Sequence, residues 1–231
     1  MTELLFVHGI FGKPSYFDFL LPHVPEGIRT TAILLDGHGH GPREFAKTSM
    51  TRWRSQVSAT IETLRAGYKK VVIAAHSMGC LFAIEAAVKG KADAIFLLNP
   101  PLSLRITRRL LSTPIKVKTG RINDVRTRAA KDAYSIADDP NPLLYLGWIP
   151  RYLELFGEIH RVRSIVKDLD VPTRVFLSSH DEMVSPQSSR LFPHRPEITV
   201  TMLPSSGHYY YTDNDRETIT QDFSNWLNGI K

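Results

Sequence analysis

The chain holds a single cysteine, Cys80, among 231 residues, so no internal disulfide can form and the fold must stand on burial alone. One unpaired thiol fits a reducing compartment, and a cytoplasmic location is expected. No run of 18 apolar residues occurs, which excludes a predicted helical membrane span. The opening MTELLFVHG has neither a basic start nor enough consecutive apolar residues for a secretory core. Stable membrane association is therefore not expected. Also missing are a G-x-G-x-x-G opening a helix and a Walker loop, so no nucleotide cofactor is expected. No Cys/His group has zinc spacing. The stretch 34–41, LLDGHGHG, offers only two histidines on a glycine loop, with Asp36 the nearest third ligand. No metal is expected there, and Asp36 and His38 are read as loop-shaping. Internal repeats and low-complexity tracts are absent too.

What is present supports a large core. The hydrophobic fraction is 42%, and at this length burial suffices without covalent staples. The net charge is +6, and residues 101–168 account for all of it, with 13 Lys/Arg against 7 Asp/Glu. Such an excess fits either an anionic partner or a solvated helical surface. No nucleic-acid motif accompanies it, so a nucleic-acid partner is not expected.

Short apolar runs at 4–7, 31–35, 71–75, 94–98, 174–178 and 198–203 alternate with stretches of helical period. That pattern predicts an α/β fold with a mostly parallel sheet of about six strands, covered by helices on both faces. Residues 49–66 place Trp53, Val57, Ile61 and Leu64 on one helical face, and 216–227 do the same with Ile219, Phe223, Trp226 and Leu227. Residues 105–168 break the alternation. They read as helical pieces punctuated by Pro114, Gly120, Pro140, Pro142, Gly147 and Pro150, rich in large apolar residues that need something to pack against. An unstructured loop of that length is not expected in a compact domain.

The stretch VVIAAHSMGCLFAI, 71–84, runs as a buried strand, breaks at Ser77 and restarts at once as a helix. Ser77 is either a helix N-cap or a hydroxyl presented at the carboxyl edge of a parallel sheet, where such folds bind ligands. Small residues two before and two after it, Ala75 and Gly79, let strand and helix close on a tight turn. A nucleophilic hydroxyl needs a general base, and the base an orienting carboxylate. Two candidates follow predicted strands: Asp181, in TRVFLSSHDEMVSP, and His208, behind Gly207 in TVTMLPSSGHYYY. Glu182 adjoins Asp181 as a second choice. The position after 94–98 holds Asn99, not a carboxylate.

These elements together resemble the α/β-hydrolase family over residues 4–211. AHSMG is similar to the G-x-S-x-G nucleophile elbow with alanine in the first place. HDEMVSP resembles the acid-bearing turn, GH the turn before the last helix, and FVHGIFG the H-G-x loop. The resemblance implies the α/β-hydrolase fold, with 1–100 and 169–231 as core and 101–168 as a helical cap. It implies catalytic Ser77, Asp181 and His208, and an oxyanion hole from the backbone N–H of Met78 and Ile10, with Phe11 as fallback and His8 bracing the loop. The style is that of small bacterial carboxylesterases and monoacylglycerol-lipase-like members. A small-molecule ester would be cleaved through an acyl-enzyme, by a monomer or homodimer, without a cofactor. Thioesters, lactones, C–C bonds and acyl transfer share the same intermediate, and some members of the fold only bind ligands. Phe11, Leu144 and Trp148 are the expected substrate contacts. The cap's apolar residues either line a substrate bed or glue cap to core.

Overall fold

The computed structural model describes residues 1–105, 107–108, 116–117 and 122–230; Pro114 and Gly120 lie outside them. Six strands form one sheet: β1 (Thr2–Val7), β2 (Ile28–Ile33), β3 (Lys70–His76), β4 (Ala94–Leu98), β5 (Thr173–Ser178) and β6 (Ile198–Leu203). Their order is β2-β1-β3-β4-β5-β6, and every neighbouring pair is parallel. The expected second strand, 31–35, is displaced. β2 pairs Ile28 to Ile33 with Thr2 to Val7, and Leu34 and Leu35 fall in the loop that follows. As an edge strand with several exposed side chains, β2 has no need of the continuous apolar run that marks the central strands.

Alternation along the strands divides the core in two. Leu5, Val7, Val71, Ile73, Ala75, Ile95, Leu97, Val175 and Leu177 point to one face. Leu4, Phe6, Val72, Ala74, Phe96, Leu98 and Phe176 point to the other. The first face is covered by α2 (Met50–Gly67), α3 (Met78–Val88) and α5 (Ile149–Ile165), the second by α6 (Asp213–Ile230). Ser49 caps α2, its side chain accepting from the Arg52 N–H, and Trp53, Val57 and Ile61 are buried as their spacing predicts. A short α1 (Pro42–Lys47) precedes it.

Between β4 and β5 come α4 (Val125–Ala133), a 3-10 run over Pro142–Trp148, and α5. The far half of α5 is rooted in the main core through Ile159 and Val162. Arg161 fastens it, 2.6 Å from Glu85 on α3 and 2.7 Å from Glu158. The apolar residues of this segment do not all find partners. Trp148 packs inward, whereas Leu143, Leu146, Ile149, Leu153 and Phe156 are exposed. Among the described residues no helix is long and apolar enough to cross a membrane.

The chain reverses its direction across the sheet between β1 and β3, and the carboxyl ends of these strands form the switch-point crevice. There α3 is drawn hard against β1. A methyl group on Gly79 would lie 2.3 Å from the Val7 carbonyl oxygen and 2.8 Å from that of His8. Gly79→Ala gains about 1 kcal/mol of helix propensity and must displace backbone to fit. The net expected cost is about 2 kcal/mol, read as a lowered urea midpoint; a midpoint equal to or above wild type would show that the approach is not tight.

Candidate active site

Ser77 stands at the junction of β3 and α3 with φ 51° and ψ −123°. A non-glycine residue there is strained by about 1–3 kcal/mol and must be held by its surroundings. Its N–H donates to the Leu98 carbonyl and its own carbonyl accepts from Cys80 N–H, both at 2.9 Å. The side chain makes no capping bond, so the N-cap reading does not describe it. Its Oγ lies 3.0 Å from His208 Nε2.

His208 Nδ1 lies 2.7 Å from Asp181 Oδ2. The other carboxylate oxygen, Oδ1, accepts the N–H groups of Met183 and Val184, each at 2.7 Å. A carboxylate tied on both oxygens cannot swing, and it draws the imidazole proton to Nδ1. Nε2 is then left with its lone pair toward the serine hydroxyl. All three residues are buried. Glu182 does not approach the imidazole: it accepts the backbone N–H of His208 at 2.8 Å and faces Arg126 at 3.5 Å.

Two further residues hold the histidine loop. Asn99, buried and at φ 51°, donates to the His208 carbonyl (3.2 Å) while its Oδ1 accepts from Ser178 N–H (2.8 Å). It thereby ties the end of β5 to the loop after β6. His76 places Nε2 3.0 Å from the same carbonyl. The sequence marks Asn99 only as a missing carboxylate and His76 only as a variable position. A polar residue ending an apolar strand was the available signal for both.

At the crevice, the N–H of Phe11 is committed to His38 Nε2 at 3.1 Å. The backbone N–H groups of Ile10 and Met78 have no protein acceptor among the described residues. Met78 begins α3, whose N-terminal partial charge favours an anion. The loop that carries Ile10 is braced by two buried imidazoles. His8 accepts from Leu35 N–H (3.1 Å) and pairs through Nδ1 with the Gly9 carbonyl (2.8 Å). His38 pairs through Nδ1 with the Leu35 carbonyl (3.1 Å). With both nitrogens engaged, neither ring has a lone pair free for a metal. Cys80 is buried too, and burial pushes its thiol pKa well up.

Ser77 and His208 open on a cavity of about 600 Å³, walled by Ile10, Phe11, Tyr134, Tyr152, Leu155 and Tyr209 among others. Of the expected substrate contacts Phe11 is on this wall; Leu144 and Trp148 are not. Trp148 stacks on Phe11, ring centroids 4.9 Å apart, and its Nε1 donates to the Pro42 carbonyl at 3.0 Å. It supports the wall from behind. No local sequence signal tells a cavity wall from core.

The alpha/beta hydrolase family model matches residues 4–221. The structure is similar to one of the metagenome-derived lipolytic enzymes LipS and LipT, at 20% identity, TM-score 0.75, over 99% of this chain and 94% of that one. It is similar to the monoacylglycerol lipase of Paleococcus ferrophilus, at 18% identity, TM-score 0.72, over 99% and 95%. A soluble variant of monoglyceride lipase from Saccharomyces cerevisiae matches at 16% identity, TM-score 0.68, over 99% and 86%. At such identities the likeness speaks for the fold alone.

Desolvation lowers the pKa of His8 to about 4 and, with His8 beside it, that of His38 to about 3. His76 shifts in the same direction. Unfolded histidines titrate near 6.5, so between about pH 6.5 and 4 the unfolded chain binds protons that the native state refuses. Stability is full above that window and falls with falling pH, by up to about 1.4 kcal/mol per histidine per pH unit. The urea midpoint should therefore drop between pH 7 and pH 4.5, less steeply in His38→Asn; a flat profile would contradict the neutral-imidazole assignment.

Proposed function

The chain belongs to the alpha/beta hydrolase family, and from that premise we propose that it is a serine hydrolase cleaving a carboxylic ester of a small or medium hydrophobic substrate. One observation carries the reading: an unbroken chain from Ser77 Oγ through the His208 imidazole to Asp181, at 3.0 and 2.7 Å. Those are the distances a nucleophile, its base and the orienter of that base require.

The serine oxygen attacks the ester carbonyl as its proton passes to His208 Nε2. Asp181 stabilises the imidazolium and keeps the ring in register. The N–H groups of Ile10 and Met78 receive the oxyanion, a role in which one donor is worth about 3–4 kcal/mol. Collapse breaks the ester C–O bond, and the leaving alcohol takes the proton from Nε2. Water then attacks the acyl-enzyme with His208 again as base, releasing the acid and restoring Ser77. On this reading residues 101–168 act as a cap whose Tyr134, Tyr152 and Leu155 close the cavity over the acyl or alcohol part. The apolar wall suits a substrate with a hydrophobic portion.

Ser77→Ala is expected to lower kcat on a p-nitrophenyl ester by about 10⁴-fold or more. Asp181→Asn, which keeps the shape and loses the tautomer control, should lower it by about 10⁴-fold. A fluorophosphonate should label wild type at Ser77 and leave Ser77→Ala unmodified. Undiminished esterase activity in Ser77→Ala would remove the proposal.

A further inference from the structure

Four aromatic rings run from the catalytic histidine around the cavity. Tyr209 sits edge-on to His208 with centroids 4.7 Å apart, and Tyr134 lies 5.6 Å from Tyr209 at 89°. Phe11 follows at 5.9 Å from Tyr134, and Tyr152 at 6.0 Å from Phe11. The three tyrosine hydroxyls make no hydrogen bond to any described residue. Nor are those of Tyr134 and Tyr209 among the fold's sealed polar atoms without partners, so they remain reachable from the cavity. The three phenols line the same cavity. Burial raises the pKa of each, that of Tyr152 to about 12. All three stay neutral at any working pH, each able to donate one bond and accept others.

The charged groups of the same cavity are already committed. Arg105 donates to the carbonyls of Asp181 (2.7 Å) and Ser179 (3.2 Å). Arg126 donates to those of His180 (2.9 Å) and Ser205 (3.2 Å). Glu182 holds the His208 N–H and faces Arg126. Apart from the Ile10 N–H already assigned to the oxyanion, the side-chain hydroxyls left without a partner among the described residues of this wall are the phenols, Tyr210 included.

Resting on the serine-hydrolase reading of this cavity, we infer that Tyr134, Tyr152 and Tyr209 form a subsite for a neutral hydroxyl or carbonyl oxygen on the non-reacting part of the ester. A purely hydrocarbon chain pressed against them displaces water from the phenols and returns no bond. A chain carrying an oxygen at the right distance replaces that water and satisfies the wall. Discrimination should come from this difference, because a polar site rejects the analogue that lacks its partner more sharply than an apolar site rejects an added group.

Two matched pairs test the inference: p-nitrophenyl 6-hydroxyhexanoate against p-nitrophenyl hexanoate, and 2-hydroxyethyl hexanoate against propyl hexanoate. In at least one pair the hydroxylated ester should have the higher kcat/KM, by about tenfold. That ratio should collapse toward one in one or more of Tyr134→Phe, Tyr152→Phe and Tyr209→Phe. It should persist in Tyr68→Phe, a control whose hydroxyl bonds Arg29 away from the cavity. Equal rates within both pairs, or a preference that survives all three cavity variants or is lost in the control, overturn the subsite. Failure of the catalytic reading looks different: wild type would hydrolyse none of the four esters and resist the fluorophosphonate.

Discussion

Everything at the crevice depends on how closely the first turn of α3 can approach the end of β1. With no side chain at Gly79, the helix rests on the Val7 and His8 carbonyls, where an added methyl would overlap them. A methyl on Gly9 would meet Ser77 Cβ at 2.7 Å, so the contact is tight from both sides. This approach brings the loop after β1 against the residue that precedes the helix. It also forces Ser77 into a backbone conformation that only its hydrogen bonds to Leu98 and Cys80 make tolerable. Strain at one residue is balanced by packing and hydrogen bonding around it.

A second constraint acts on the histidine. Its backbone is gripped on both polar groups: the N–H by Glu182, the carbonyl by Asn99 and His76. Its ring is gripped by Asp181, which is itself held by two backbone N–H groups. In a dry environment each of these groups would be costly unpaired, so the network has few alternative arrangements. His8, His38 and His76 enter as neutral rings, because burying an imidazolium without a counter-ion costs more than giving up the proton. His8 and His38 act as struts engaged through both ring nitrogens, and His76 through Nε2.

Among the described residues, the segment between β4 and β5 plays two parts. The far half of α5 shares the main hydrophobic cluster and is clamped to α3 by Arg161. Its near half supplies Tyr152, Leu155 and Phe156 to the cavity and leaves Leu153 and Phe156 substantially exposed. One helix thus anchors in the core at one end and walls the cavity at the other.

Much of the architecture was legible in the residues because it is local. Continuous apolar runs mark strands buried on both faces, and five of the six predicted runs lie within observed strands. β2 was misplaced because an edge strand is under no such pressure. Ser77, Asp181 and His208 each stood out from a turn following a strand, and parallel pairing brings such turns to one edge of the sheet. Which atoms then meet is another matter. The engagement of the Phe11 N–H, the anchoring by Asn99 and the displacement of Trp148 behind Phe11 all rest on contacts between residues far apart in the chain. Sequence alone determined the order of strands and turns, because backbone sterics and burial act over a few residues. The tertiary structure decided which polar groups are satisfied and which remain free, because hydrogen-bond partners are assigned only when distant segments pack.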